Sequence, residues 1–221
     1  MQHVLKCALA ALLVGCQAAQ PLTVDPDLYR VRHPHRHDLP AGRLYATDED
    51  DTLRLVQPGT GRTWTFGGEN LESLRLFKSE LDVDVFTLPF KIRPAREGVP
   101  PQLNSNFNAA VYLGRRLDVY RFRTRRIAPG ITQRQLREQG FGYGLFAGLG
   151  STSINPFVTR DQVTLEYDGL IVDAGLAAIY DARVFNVGLA VGVDHLMDPN
   201  RRHWIYQRKP WFGVLFGLNL N

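Results

Sequence analysis

Three histidines alternate in His33-Pro34-His35-Arg36-His37-Asp38. In an extended chain, side chains two residues apart point the same way, so the three imidazoles form a set able to hold zinc, copper or nickel. The competing reading is a solvated, histidine-rich tether, and no second ligand group stands nearby in sequence. A second constellation is Ser151-Thr152-Ser153, Asp173 and Asp194-His195, the residue types of a hydrolase. No nucleophile elbow or oxyanion motif accompanies them, so the expected role of Asp173 and Asp194 is a polar contact inside a β structure, with arginines from facing strands or with water. A third group is basic: Arg115-Arg116, Arg121-Phe122-Arg123-Thr124-Arg125-Arg126 and Arg201-Arg202-His203-Trp204. With Trp204, Tyr206 and Trp211 nearby, these suggest an interfacial aromatic girdle and contacts with lipid headgroups, against the alternative of ordinary solvated loops. There is no Walker motif, no dinucleotide fingerprint and no metal-binding cysteine pair.

The elements that must position these residues change character along the chain. Residues 17–42 are rich in proline, charge and histidine and read as a tether. Residues 43–81 carry short alternating stretches such as Thr52-Leu53-Arg54-Leu55-Val56 and Arg62-Thr63-Trp64-Thr65-Phe66, which read as a small β-rich segment. From residue 82 onward, long segments alternate large apolar residues with glycine or alanine. Phe141, Tyr143, Leu145, Ala147 and Leu149 oppose Gly142, Gly144, Phe146, Gly148 and Gly150, and Leu170, Val172, Ala174, Leu176 and Ala178 oppose Gly169, Ile171, Asp173, Gly175 and Ala177. The same holds for 185–194, for 107–113 and for the run from Trp211. In 86–92, Phe86, Leu88, Phe90 and Ile92 fall on one face, with Pro89 awkwardly on the other. The connection 114–140 reads as long, with a further strand near Asp118–Arg123 and a helical turn near Gln133–Glu138.

This pattern resembles a small outer-membrane β-barrel, with large apolar residues toward lipid and small or polar ones inward. The resemblance covers 82–221 and implies an all-β, antiparallel barrel of about six to eight strands. An extra hairpin from 43–80 or from 114–127 with its neighbour would raise the count above six. A soluble sandwich or lipocalin-like barrel also alternates, but its outward face should carry charge, whereas the face opposite the apolar one here is mostly glycine and alanine.

The N-terminus carries a second resemblance. One lysine, Lys6, precedes an apolar run from Cys7 to Val14, as in a secretory signal. The run ends Leu13-Val14-Gly15-Cys16, which resembles the lipobox of bacterial lipoproteins. That family implies removal of residues 1–15 by cleavage between Gly15 and Cys16, and acylation of the Cys16 thiol. Gln17, in place of an aspartate, implies the outer membrane of a Gram-negative cell. The covalent lipid on Cys16 is the only prosthetic group expected. The partners expected are membrane lipids and other envelope proteins. A formal net charge of +4 is too mild to argue for nucleic acid. The functional expectation is a non-catalytic structural or binding role in the envelope. Its rivals are a soluble, lipid-anchored periplasmic domain that binds a hydrophobic ligand or an envelope protein, and a lipid-modifying barrel enzyme with Ser and His near its outer rim.

Overall fold

Period-two alternation in the sequence becomes strand almost everywhere in the computed structural model, which describes residues 23–33, 39–40, 42–49, 52–129, 131–181 and 185–218. The strands are β1 (Asp27–Arg32), β2 (Arg43–Glu49), β3 (Thr52–Val56), β4 (Thr63–Gly67), β5 (Arg75–Arg93), β6 (Gln102–Asn104), β7 (Asn108–Ala128), β8 (Ile131–Ile154), β9 (Tyr167–Asp181), β10 (Phe185–Leu196) and β11 (Pro210–Leu218). Among the described residues there is no α-helix, only three short 3-10 turns. The chain divides into two units. One holds the described residues up to Phe77 together with Tyr120–Glu138, and the other holds Lys78–Val119 together with the described residues from Gln139.

In the first unit β1 pairs antiparallel with β2 and β5, β2 with β3, and β3 with β4. Alternate residues bury one face. Tyr29, Val31, Leu44, Leu53, Leu55, Trp64, Phe66, Leu76, Phe122 and Leu136 form a single apolar cluster. Their sequence neighbours Arg30, Arg43, Arg54, Thr65 and Arg75 are exposed, as expected of a sheet with one face in water. The Asp48 carboxylate is buried here, accepting from the Val24 amide at 3.0 Å and pairing with Arg134, whose guanidinium lies 5.3 Å from the Phe122 ring centre.

In the second unit β5, β7, β8, β9, β10 and β11 are neighbours in that order, and β11 pairs back with β5, so six strands close into a ring. β8 pairs antiparallel with β9, β9 with β10, β10 with β11 and β11 with β5. Polarity is reversed relative to a soluble core. Val111, Leu113, Phe141, Leu145, Leu176, Leu189 and Phe212 are exposed, while Lys91, Arg93, Asn108, Asp173 and Asp194 are buried. The connection read from sequence as long and partly helical is instead strand: β7 runs to Ala128 and β8 starts at Ile131, with only Pro129 and Gly130 between. Phe122 and Leu136 are buried there, but residues 123–127 are exposed in an unbroken run rich in arginine, which hides the strand signal. The ring therefore has six strands, and no hairpin from 43–80 joins it.

Glycine sets how closely the strands approach. A Cβ added to Gly144 would lie 2.4 Å from both the Gly114 Cα and the Leu113 carbonyl oxygen. These are backbone atoms, which cannot swing aside. Gly144→Ala is therefore expected to abolish the folded form, as read by circular dichroism and limited proteolysis, whereas Gly59→Ala, at an open turn with φ +86°, should cost only about 1 kcal/mol.

Candidate functional site in the ring interior

The site begins with a defect in β5. Phe86 and Leu88 are buried, yet so are Lys91 and Arg93, while Phe90 and Ile92 are exposed. Alternation thus slips by one residue beside Pro89. The pairing with β11 slips at the same place, from Val214↔Phe90 to Phe216↔Thr87. A bulge of this kind re-aims every later side chain, and proline, lacking an N–H, is accommodated there. The four apolar residues 86–92 expected on one face are therefore split between two. The consequence is that two cations enter the ring.

They meet two carboxylates. Asp173 on β9 and Asp194 on β10 are direct cross-strand partners, both about 1% exposed. Like charges placed so would repel strongly in a poorly solvated interior. The Lys91 ammonium bridges them, donating to Asp173 and, at 3.1 Å, to Asp194. Arg93 donates through Nη2 to the other oxygen of Asp194 at 2.6 Å and through Nη1 to the Thr152 hydroxyl at 2.9 Å. Two cations and two anions balance, which is the condition for keeping such groups buried. Glycine makes room for them, since a Cβ on Gly148, which pairs with Asp173, would sit 2.4 Å from its Oδ1.

Aromatic rings complete the enclosure. The Lys91 ammonium lies 4.5 Å from the Trp211 ring centre, and the Arg93 guanidinium 5.1 Å from that of Trp204 and 5.6 Å from that of Tyr206. A cation over an aromatic face gains from the ring quadrupole, more so when desolvated. Burial pushes the Tyr206 hydroxyl above its ordinary pKa, with Arg93 opposing. These placements correct one expectation: Trp204, Tyr206 and Trp211 are 3%, 2% and 0% exposed and do not form an outer girdle. The loop after β10 folds inward because Trp204 and Tyr206 find the Arg93 guanidinium and an apolar cluster with Val158, Ile171 and Leu196. Toward the other end of the same strands, Arg116 pairs with Asp118 at 2.9 Å and with Asp181 at 3.1 Å.

The residues that suggested a hydrolase are not brought together. Asp194 faces inward to Lys91 and Arg93, while the next residue, His195, faces the other way, 2.9 Å from Gln207 Nε2. Thr152 is committed to Arg93, and the Ser153 hydroxyl donates to Asp168 at 3.0 Å. His33 stacks on Phe66 with ring centres 6.0 Å apart, while His35 and His37, like Gly15 and Cys16, lie outside the described residues. Among the described residues no group of three or more His, Cys, Asp or Glu side chains is placed to hold a metal ion. No protein-family model matches this chain, and no curated protein or solved structure is significantly similar to it.

Lys91 and Arg93 were missed by sequence reasoning. The signal was Pro89, a residue that fits poorly in a regular inner strand and marks the bulge. Their carboxylate partners, Asp173 and Asp194, were visible as the charged exceptions on faces otherwise made of glycine and small residues.

Proposed function

We propose that this protein is an outer-membrane lipoprotein whose six-stranded ring is a membrane-embedded β-barrel, with a structural or binding role in the cell envelope and no catalysis of its own. The observation that carries this reading is the inverted polarity of the ring. Large apolar side chains stand exposed on all six strands: Phe90 on β5, Leu113 on β7, Leu145 on β8, Leu176 on β9, Leu189 on β10 and Phe212 on β11. A soluble monomer rarely exposes contiguous apolar patches beyond a few hundred Å². The charged groups are inside and paired, as expected where the outside solvent is hydrocarbon.

The ring strands are long enough to cross, since ~9–11 tilted residues span the hydrocarbon and even the shortest, β10 and β11, have 12 and 9 residues. Six strands are fewer than the usual minimum of about eight, and the narrow interior suits this chain because glycine, alanine and one ionic cluster fill it. With the lumen occupied by Lys91, Arg93, Asp173, Asp194 and Trp211, binding or anchoring fits better than conduction. In this reading acyl chains on Cys16 supply a second attachment to the membrane.

The test separates the two attachments. Cys16→Ala, exported behind a generic cleavable signal peptide, should stay with the membrane fraction through an alkaline carbonate wash. Recovery of that variant as a folded, detergent-free monomer would contradict the proposal and leave a soluble, lipid-anchored domain in its place.

A further inference from the structure

Above the ion-pair cluster, the ends of β5, β6 and β8 enclose a polar cleft of about 330 Å³. Arg93, Asn104 and Thr152 line it and are each more than nine-tenths buried. The two Nη groups of Arg93 are committed to Asp194 and Thr152, but its buried Nε–H has no acceptor. Buried donors are seldom left orphaned, and this one belongs to a residue that lines the cleft. The remaining wall is amide and hydroxyl: Gln102, Ser105, Asn106, Ser153 and Asn155. Gln102 and Ser105 have no side-chain partner among the described residues.

Several of these groups are held in place from behind. Asp168 accepts from the Asn106 amide and the Ser153 hydroxyl, both at 3.0 Å. Asn104 Oδ1 accepts from the Asn106 backbone at 2.8 Å, and Asn155 Oδ1 accepts from the Val158 amide at 3.2 Å, leaving the Asn155 NH₂ for a ligand. Groups fixed before binding lose little entropy when a ligand arrives.

We propose that this cleft binds a neutral saccharide unit. Each sugar hydroxyl both donates and accepts, and the wall offers both kinds of group: Gln102 and Ser105 can donate and accept, and Asn155 can donate through its NH₂. A carboxylate or phosphate offers only acceptors; it would leave the amide oxygens unpaired and would meet one arginine whose charge Asp194 already balances. No carboxylate lines the cleft, which disfavours a metal ion. The volume falls at the lower end of the range of about 300–1,000 Å³ typical of small-molecule sites, enough for one or two sugar rings. The cleft lies wholly within the second unit, and the inference does not depend on whether the ring is in a membrane.

Saturation-transfer NMR on the full chain in lauryldimethylamine oxide, a detergent without a sugar headgroup, tests it. The probes are D-glucose, D-galactose, D-mannose and N-acetyl-D-glucosamine, with sodium acetate and sodium phosphate as anions. At least one sugar should receive saturation. Gln102→Ala should weaken its binding about 2–10-fold, the loss of one hydrogen bond. Gln102→Trp, which fills the cleft, should abolish it, while Thr65→Arg in the first unit should leave it unchanged. If Gln102→Trp fails to give the folded form, Ser105→Trp, at an exposed wall position, takes its place. No transfer to any sugar, transfer insensitive to the blocking variant, or transfer to the anions alone would each overturn the proposal.

Discussion

Lys91→Met is expected to destabilise the ring by about 3–5 kcal/mol, the cost of breaking a buried ion pair from one side. Methionine approximates the length of the lysine stem, so little volume is lost and the effect is electrostatic. Without the ammonium, Asp173 loses its described side-chain partner, while its Oδ1 is already buried without one. Asp173 then faces Asp194 across the β9–β10 pair with Arg93 reaching only the latter. Asp173→Asn in the same chain should recover most of the loss, because removing both charges leaves no orphan ion. Urea unfolding followed by tryptophan fluorescence reads both variants, since Trp211 packs against Lys91. A single variant as stable as the parent would mean that the cluster is hydrated and not a closed network.

Leu189→Arg carries the second large effect. Leu189 is 70% exposed on β10, between the exposed Val191 and the strand start. If that surface faces lipid, arginine there should cost about 2–4 kcal/mol of folding free energy in bilayers near the midplane and correspondingly less near an interface. On a water-facing surface the same change falls within about 0.5 kcal/mol of zero. Thr65→Arg, at an exposed position of β4 in the first unit, supplies the neutral comparison. Equal stabilities for the two arginine variants in refolding into lipid vesicles would remove the basis for an embedded ring.

Much of the ring was legible because alternation survives wherever one face carries leucine or phenylalanine and the other glycine. Leu145 against Gly144, and Leu176 against Gly175, fixed both the strand and the face. Legibility failed at three places for three physical reasons. Beside Pro89 a bulge changes phase, so Phe86 and Leu88, read on the same outward face as Phe90 and Ile92, are buried inside the ring, and Lys91 and Arg93, on the face opposite Phe90 and Ile92, were given no role. Between 114 and 140 the exposed side chains include Arg115, Arg121, Arg123, Arg125, Arg126 and Arg137. The strand continues, but residues 123–127 are all exposed, so neither hydrophobicity nor a period of two marks it. In the loop after β10, Trp204 and Tyr206 were assigned by composition to an interface, whereas their burial depends on Arg93, more than a hundred residues away in sequence. Contacts of that range are set by topology, which no local window contains.

The embedded ring can be tested at its outer surface directly. In a Cys16→Ala background exported behind a cleavable signal peptide, single cysteines replace Leu145, Leu176 and Leu189 in turn, with Thr65→Cys as reference. Each is spin-labelled and the protein is reconstituted into vesicles, where collision rates with oxygen and with a nickel chelate are compared by electron paramagnetic resonance. Oxygen concentrates in hydrocarbon and the chelate in water. High oxygen and low nickel accessibility at 145, 176 and 189, reversed at 65, is the expected result. Nickel accessibility at those three positions equal to that at 65 would contradict the membrane-embedded barrel.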